Sequence, residues 1–377
     1  MFNNPFIFRA YQSKELFCDR KNELQQLITN CLSGADTTLV APRRIGKTGL
    51  IYRFIDEIHT AHLPLIPIYI DIFATRSLDD FVKVLSETIL ATFPEQTNIG
   101  RQFMQFIRSL RPVLSFDPLT SAPQLQLTSQ TQQEKEQTLE RLLSFLNAQP
   151  TRVMLAIDEF QQIRSYPEQN TEALLRTFVQ RLNNITFLFC GSKRHMMLDI
   201  FTGERNPFYR STEFLTLGKI DADIYADFIK RMFNQTSITI TDEAIDYILS
   251  WTKRLTYFTQ RLCHYAYNLG TAVVDIDQVK QAALQILKAD TVVFNQYQQL
   301  LTAGQWDFLI ALAKEDQLSQ PTSRQFTEKY RLGNPSSVSR TLTSLIDKDL
   351  ITDELINGKQ VYSLNDVFLS RYLAQQY

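Results

Sequence analysis

Up to Gly218 the apolar positions of the chain switch repeatedly between short continuous runs and helical spacing. Thr37-Thr38-Leu39-Val40 is followed by Leu50, Ile51, Phe54, Ile55 and Ile58, and the run from Leu65 to Phe73 by Leu78, Phe81, Val82, Leu85 and Ile89. Two more apolar runs stand at Val153 to Ile157 and Ile185 to Cys190. A short unbroken apolar run reads as a strand covered on both faces, and i, i+3, i+4, i+7 spacing as an amphipathic helix. Their alternation predicts a parallel sheet wrapped by helices, an α/β fold.

That rhythm is interrupted between Pro94 and Pro150. Val113 to Phe116 and Gln124 to Leu127 alternate apolar and polar residues around the turn-forming Asp117-Pro118-Leu119-Thr120-Ser121-Ala122-Pro123, which predicts a hairpin. A Gln-rich stretch from Ser129 to Gln137 then leads into a helix along Leu139, Leu142, Leu143 and Leu146. The hairpin reads either as a partner-docking arm or as a solvent-exposed decoration.

Beyond Gly218 the pattern becomes helical, with helices expected at Asp221 to Phe233, Asp242 to Trp251, Thr256 to Leu269 and Asp277 to Ala289, most opened by a capping Asp or Thr. From about Phe294 the pattern is that of a winged helix. Trp306, Leu309, Ile310 and Leu312 share one helix face, Asn334-Pro335 opens a helix carrying Val338, Leu342, Leu345 and Ile346, and Ile351 to Leu355 pairs with Gln360 to Leu364 through Asn357-Gly358. The expected domains are 1–219, 220–292 and 293–377.

Composition narrows this picture. Of 377 residues 44% are apolar and 21% charged, as in ordinary globular proteins, and the length calls for more than one core. The most apolar stretch, Leu63 to Phe73, is broken by Pro64, Pro67 and Asp71, so no membrane span is expected; the first residues carry no basic and apolar signal pattern, so the cytoplasm is the expected location. Four scattered cysteines, Cys18, Cys31, Cys190 and Cys263, and four histidines lack metal-ligand spacing. A net charge of −1 gives no whole-chain basic field for nucleic acid.

The candidate chemistry begins at Ala41-Pro42-Arg43-Arg44-Ile45-Gly46-Lys47-Thr48-Gly49, between a predicted strand and a predicted helix. In such a loop, backbone N–H groups wrap phosphates, Gly46 permits close approach, Lys47 reaches the β/γ-phosphates and Thr48 ligates Mg²⁺; Ala41 stands where the motif opens with glycine. The strand Val153 to Ile157 ends in Asp158-Glu159, which delivers acids to the sheet edge where α/β folds bind ligands. Asp158 would hold Mg²⁺ and Glu159 would orient or deprotonate the attacking water. Ser192, at the tip of the strand Ile185 to Cys190, is the candidate γ-phosphate sensor, and Arg194, Arg205 and Arg210 are candidates to neutralise transition-state charge in cis or from a neighbouring subunit. These residues predict a P-loop NTPase core, a helical lid and a C-terminal winged helix.

On these motifs the chain resembles the archaeal-type ATPases of the signal-transduction (STAND) branch of P-loop NTPases, related to AAA+. Asn4-Pro5-Phe6 and Phe17-Cys18-Asp19-Arg20 are similar to the family's N-P-F and F-x-G-R-E elements, with Asp19 in place of glycine, and the resemblance implies that Phe17 and Arg20 lie near the adenine. Asn206 to Arg210 resembles the segment leading to the last core strand. Thr252 to Gln260 resembles a lid motif T-G-G-x-P-Y-Y-x-Q in which Lys253, Arg254 and Thr256 replace two glycines and the proline.

The resemblance implies an ATP- and Mg²⁺-dependent slow ATPase that switches with nucleotide state, ATP or ADP, toward an unknown protein partner. A DNA-binding regulator or replication-initiator-like protein is one alternative and a nucleotide-stabilised scaffold without turnover is another. DNA is disfavoured by charge: from Leu300 onward 8 Lys and Arg face 9 Asp and Glu, and Lys348 lies between Asp347 and Asp349. Oligomeric state is left open.

Overall fold

The computed structural model describes residues 4–9, 11–93, 97–109, 113–116, 123–126, 131–356 and 358–376. The chain divides into two compact units, Tyr11–Gly218 and, taken with the described residues of Met1–Ala10, Lys219–Tyr377.

In the first unit α1 (Lys21–Ser33), β1 (Thr37–Val40), α2 (Lys47–Thr60), β2 (Leu65–Asp71), α3 (Leu78–Thr92), α4 (Asn98–Ser109), β3 (Val113–Phe116), β4 (Pro123–Gln126), α5 (Gln132–Asn147), β5 (Arg152–Asp158), a 3₁₀ turn (Phe160–Ser165), α6 (Thr171–Arg181), β6 (Ile185–Gly191), α7 (Arg194–Thr202) and β7 (Glu213–Thr216) follow in order. The parallel sheet has the order β2-β5-β6-β1-β7, with Asp71 in register with Asp158 and Val40 with Gly191. Every residue of β6, and of β5 after Arg152, is buried, as the unbroken apolar runs require. Four phenylalanines lock the tail of this core: Phe160 lies 4.5 Å from Phe189, and Phe189 lies 5.3 Å from Phe201 and 5.4 Å from Phe208. The expected hairpin is present as antiparallel β3 and β4, with Val113 opposite Gln126; its turn, 117–122, and Leu127 lie outside the described residues.

The second unit contains α8 (Ala222–Asn234), β8 (Thr239–Ile240), α9 (Asp242–Trp251), α10 (Thr256–Asn268), β9 (Val273–Val274), α11 (Ile276–Leu300), α12 (Ala303–Glu315), α13 (Arg324–Tyr330), α14 (Pro335–Asp347), β10 (Ile351–Ile356), β11 (Lys359–Leu364) and α15 (Val367–Gln376). Capping chemistry sets most starts: Asp275 with Gln278 and Thr302 with Gln305 form capping boxes, and Asn334 accepts from the Ser337 N–H ahead of Pro335. The helix expected to stop at Ala289 runs on to Leu300, because 290–300 holds no Gly or Pro and Phe294 is buried against Tyr372, 4.9 Å between rings. One continuous helix therefore serves both the helical bundle and the winged helix. Asn357 of the wing turn lies outside the described residues.

The N-terminal Asn4-Pro5-Phe6 is part of this unit. Phe6 is fully buried with Phe233 4.7 Å away, the Asn4 side chain donates to the His264 carbonyl at 2.9 Å, and the His264 ring nitrogen Nδ1 meets the Phe6 carbonyl at 2.9 Å.

The bundle and the winged helix are joined at the turn after α9. Lys253 and Arg254, where the resembled motif carries glycines, both adopt the left-handed conformation, φ 56° each. For an L-residue this costs roughly 1 kcal/mol. Contacts offset it: Lys253 Nζ pairs with Asp316 Oδ1 at 2.8 Å, Arg371 reaches the same carboxylate at 3.2 Å and the Trp251 carbonyl at 3.1 Å, and Phe368 of α15 packs between Trp251 at 5.5 Å and Phe258 at 4.8 Å. Burial pulls the Lys253 amine below its ordinary range, and Asp316 pushes back. We expect Asp316→Asn, which keeps an Asx side chain's tolerance of the positive φ at this position, 62°, but removes the charge, to cost about 1–2 kcal/mol of stability. Denaturant unfolding of Asp316→Asn, Lys253→Met and the double variant should give a coupling energy; additive single effects would show that the pair contributes nothing.

Candidate active site

Three strand ends supply the site. β1 ends at Val40, buried Ala41 follows, and the loop to α2 passes through two left-handed residues, Arg44 at φ 67° and Gly46 at φ 99°. That curl turns successive peptide N–H groups toward one side and starts α2 at Lys47, whose N-terminus has no side-chain cap. A helix start of this kind is a ready anion cradle. Pro42 and Arg43 are half-buried, Arg44 is exposed, Ile45 is buried, and Phe17 lies against Gly49 in the first turn, its ring edge 3.4 Å from where a Cβ would stand.

β5 delivers Asp158, and the chain then turns sharply because Glu159 takes a left-handed conformation, φ 57°. Asp158 is almost fully buried and collects four donors: the Lys47 ammonium, the Glu159 N–H at 2.9 Å, the Thr48 hydroxyl at 3.1 Å and the Tyr69 hydroxyl at 3.1 Å. Glu159 accepts from Lys47 at 3.3 Å, from Ser192 at 2.8 Å and from the Gln161 amide. The left-handed turn is what lets adjacent acids share one lysine.

Electrostatics follow from this geometry. Burial would lower the Lys47 amine, but Asp158 and Glu159 outweigh it and hold it above its ordinary range. Burial likewise pushes Glu159 up, while Lys47, Gln161 and Ser192 together bring it below the usual carboxylate range. Burial first, then the Asp158 charge, raises Asp71 at the neighbouring strand end. Glu159 therefore stands ready as a carboxylate at neutral pH.

Thr48 and Asp158 offer hard oxygen ligands 3.1 Å apart, the donor set that suits Mg²⁺ when phosphates and water complete its shell. Among the described residues no cluster of three or more His, Cys, Asp or Glu forms a dedicated metal cage. The site fits a metal carried in with a phosphate ligand.

Lys47, Thr48, Asp158, Glu159 and Ser192 thus meet at one edge. Arg210 does not join them: it is exposed, with its guanidinium 5.2 Å from the Tyr209 ring, and among the described residues no hydrogen bond or ion pair links it to the cluster. Arg20 is buried and donates to the Ile45 and Gly218 carbonyls and to Glu23. Sequence reasoning missed Tyr69 and Gln161. The signal for Tyr69 was a polar pair, Tyr69 and Asp71, two apart in an otherwise apolar strand; Gln161 had only its nearness to Asp158.

Residues 17–255 match a family model described as an ATPase domain predominantly from Archaea, and residues 292–375 match one described as a probable winged helix domain. Among curated proteins none matches the chain. Solved structures similar to it include a Walker-type ATPase of Pyrococcus abyssi, 19% identical, TM-score 0.67, covering 98% of this chain and 99% of that one. The Aeropyrum pernix ORC1 protein in complex with DNA is 13% identical, TM-score 0.52, with 96% and 93% covered. The Aeropyrum pernix ORC2 protein in ADPNP–ADP complexes is 15% identical, TM-score 0.53, with 94% of each covered. At these identities the likeness is one of fold. No helix among the described residues is long and apolar enough to cross a membrane.

Removing the lysine should expose how much the cluster depends on it. Lys47→Met leaves Asp158 and Glu159 facing one another, and we expect the nucleotide-free protein to lose about 3 kcal/mol. In the parent protein Glu159 titrates low, so its contribution is present at neutral pH and fades on acidification; in the variant the unpaired acids cost most when ionised. The gap in melting temperature should accordingly narrow between about pH 7 and about pH 4, and a gap that widens on acidification would contradict this account.

Proposed function

The chain belongs to the family of ATPase domains found predominantly in Archaea, and from that premise we propose that it binds ATP and hydrolyses it slowly, with Mg²⁺, as a nucleotide-driven switch. The observation that carries the proposal is the convergence of Lys47, Thr48, Asp158, Glu159 and Ser192 on one sheet edge beside an uncapped helix start.

In this reading the loop N–H groups from Arg43 to Gly49 cradle the phosphates, and Lys47 exchanges its carboxylate partners for the β/γ-phosphates. Thr48 and Asp158 would hold Mg²⁺, which when bound neutralises charge on the phosphate oxygens. Glu159, oriented by Ser192 and Gln161, positions the water and takes its proton as the water oxygen attacks the γ-phosphorus and the bond to the β-bridging oxygen breaks, leaving ADP and phosphate. Phe17 is the proposed neighbour of the adenine. Arg210, standing apart from the cluster, is proposed to act on a neighbouring subunit, which requires an oligomer.

The winged helix is the proposed output element, and its net charge of −1 favours a protein partner in the cytoplasm. A DNA reader is the second reading, favoured by one observation: from Ser336 to Thr343 the exposed positions of α14, Ser336, Ser339, Arg340 and Thr343, carry no acid, and the helix's one acid, Asp347, is its last residue. The same helix position reads the major groove in helix-turn-helix proteins.

Two measurements test these readings. Lys47→Ala should abolish binding of a fluorescent ATP analogue, whereas Glu159→Gln should bind it normally and hydrolyse ATP about 10²–10³-fold more slowly; equal turnover by wild type and Glu159→Gln would remove Glu159 from the mechanism. Full-length protein should bind duplex DNA no better than a weak, sequence-independent association. Tight binding that falls steeply with salt and weakens in Arg340→Ala would instead promote the DNA reader.

A further inference from the structure

Arg20 has no role in the cluster just described, yet it is almost fully buried and richly bonded. Its guanidinium donates to the Gly218 carbonyl at 2.6 Å, the Ile45 carbonyl at 3.5 Å and Glu23 Oε1 at 3.0 Å. Asp19 and Arg20 reach this arrangement through two consecutive left-handed residues, φ 58° and φ 63°. Such strain, roughly 1 kcal/mol for each residue, persists where surrounding bonds over-determine the backbone.

The two carbonyls mark two different places. Ile45 lies inside the phosphate loop between left-handed Arg44 and Gly46, and its carbonyl belongs to the same planar peptide unit as the Gly46 N–H. Any ligand that draws the Gly46 N–H toward itself fixes that plane and aims the Ile45 oxygen the opposite way, toward Arg20. Gly218 is the last residue of the first compact unit, where the chain leaves β7; Leu217 still donates to the Val40 carbonyl at 3.1 Å, but Gly218 is exposed and a Cβ built on it would meet nothing within 4 Å. Without side-chain packing around it, its direction is set by main-chain geometry and by the Arg20 bond.

We infer that Arg20 is a positioning residue that transmits the conformation of the phosphate loop, through the Ile45 and Gly218 carbonyls, to the segment by which the chain leaves the ATPase unit. The inference rests on the ATPase reading above. Both carbonyls accept from one nitrogen, Nη2, whose two N–H bonds are fixed in the guanidinium plane while Nη1 is anchored on Glu23, an orientation that an ammonium on a flexible stem does not hold. At 3.5 Å the Ile45 contact has room to shorten when phosphate orders the loop, so nucleotide tightens the tether at Gly218. Differential contact of this kind is what couples a ligand to a conformation.

Lys219, exposed in the irregular segment directly after Gly218, provides a readout, because trypsin cleaves after it. Full-length wild type, Arg20→Gln and Arg20→Lys are digested with limiting trypsin, with and without a non-hydrolysable ATP analogue and Mg²⁺. Cleavage after Lys359 in the wing serves as the control for general loosening. In wild type we expect the analogue to slow cleavage after Lys219 at least fivefold. Arg20→Gln should be cut there at least fivefold faster without nucleotide, lose the protection while still binding the analogue, and show an unchanged rate after Lys359. Arg20→Lys, the variant expected to keep the fold if Arg20→Gln does not, should recover less than half of the protection. Equal cleavage after Lys219 in wild type and Arg20→Lys, or full protection in Arg20→Gln, would overturn the inference, as would equal acceleration at both sites. Wild type that binds no analogue would overturn the ATPase reading instead, and the nucleotide-free comparison would still judge the tether.

Discussion

The candidate site is organised around one buried cation shared by two adjacent carboxylates. Asp158 and Glu159 are adjacent acids at the end of a buried strand, and like charges held this close repel one another. Lys47 resolves that conflict, and each remaining partner finishes what it begins: Tyr69, Thr48 and a main-chain N–H occupy Asp158, Ser192 and Gln161 occupy Glu159. The arrangement ties α2, β2, β5 and β6 together at their functional edge. Positioning and stability are therefore the same set of bonds here.

A second theme is left-handed backbone at residues other than glycine. Asp19, Arg20, Arg44, Glu159, Lys253, Arg254 and Asp316 all have φ between 56° and 67°. Glycine would adopt each at lower cost, but glycine brings no side chain. At Glu159, Arg20 and Lys253 the side chain projected by the turn is the one that makes the ion pair or carbonyl contact. The strain is localised where the chain must both turn sharply and present a charge, and the polar bonds made there offset it.

The regular architecture was largely legible because it rests on short-range rules. Unbroken apolar runs gave β1, β2, β5 and β6, capping residues gave the starts of α8, α9 and α14, and Asn357-Gly358 between alternating residues gave the wing. Where the structure departs from the local pattern or adds to it, the cause is a contact between distant residues: α11 continues past Ala289 because Phe294 finds Tyr372, and β8 with β9 is a two-residue pairing too short to leave a pattern. Residues 4–6 looked like part of the first unit by sequence position, but Phe6 is buried with Phe233 and Tyr267 of the second.

For the site the same division holds. The sequence alone determined which residue types were available and at which strand ends, since a glycine-lysine-threonine loop and a strand ending in two acids are local signals whose chemistry follows from spacing. It could not decide that Arg210 stands apart from the cluster, that Tyr69 completes the Asp158 shell, or that Arg20 holds the Gly218 carbonyl 198 residues away in sequence. Those facts depend on the order β2-β5-β6-β1-β7 and its register, which bring side chains together by sheet geometry rather than by neighbourhood along the chain. Local periodicity reports only whether a position faces inward; the identity of what it meets there is set when the strands pair.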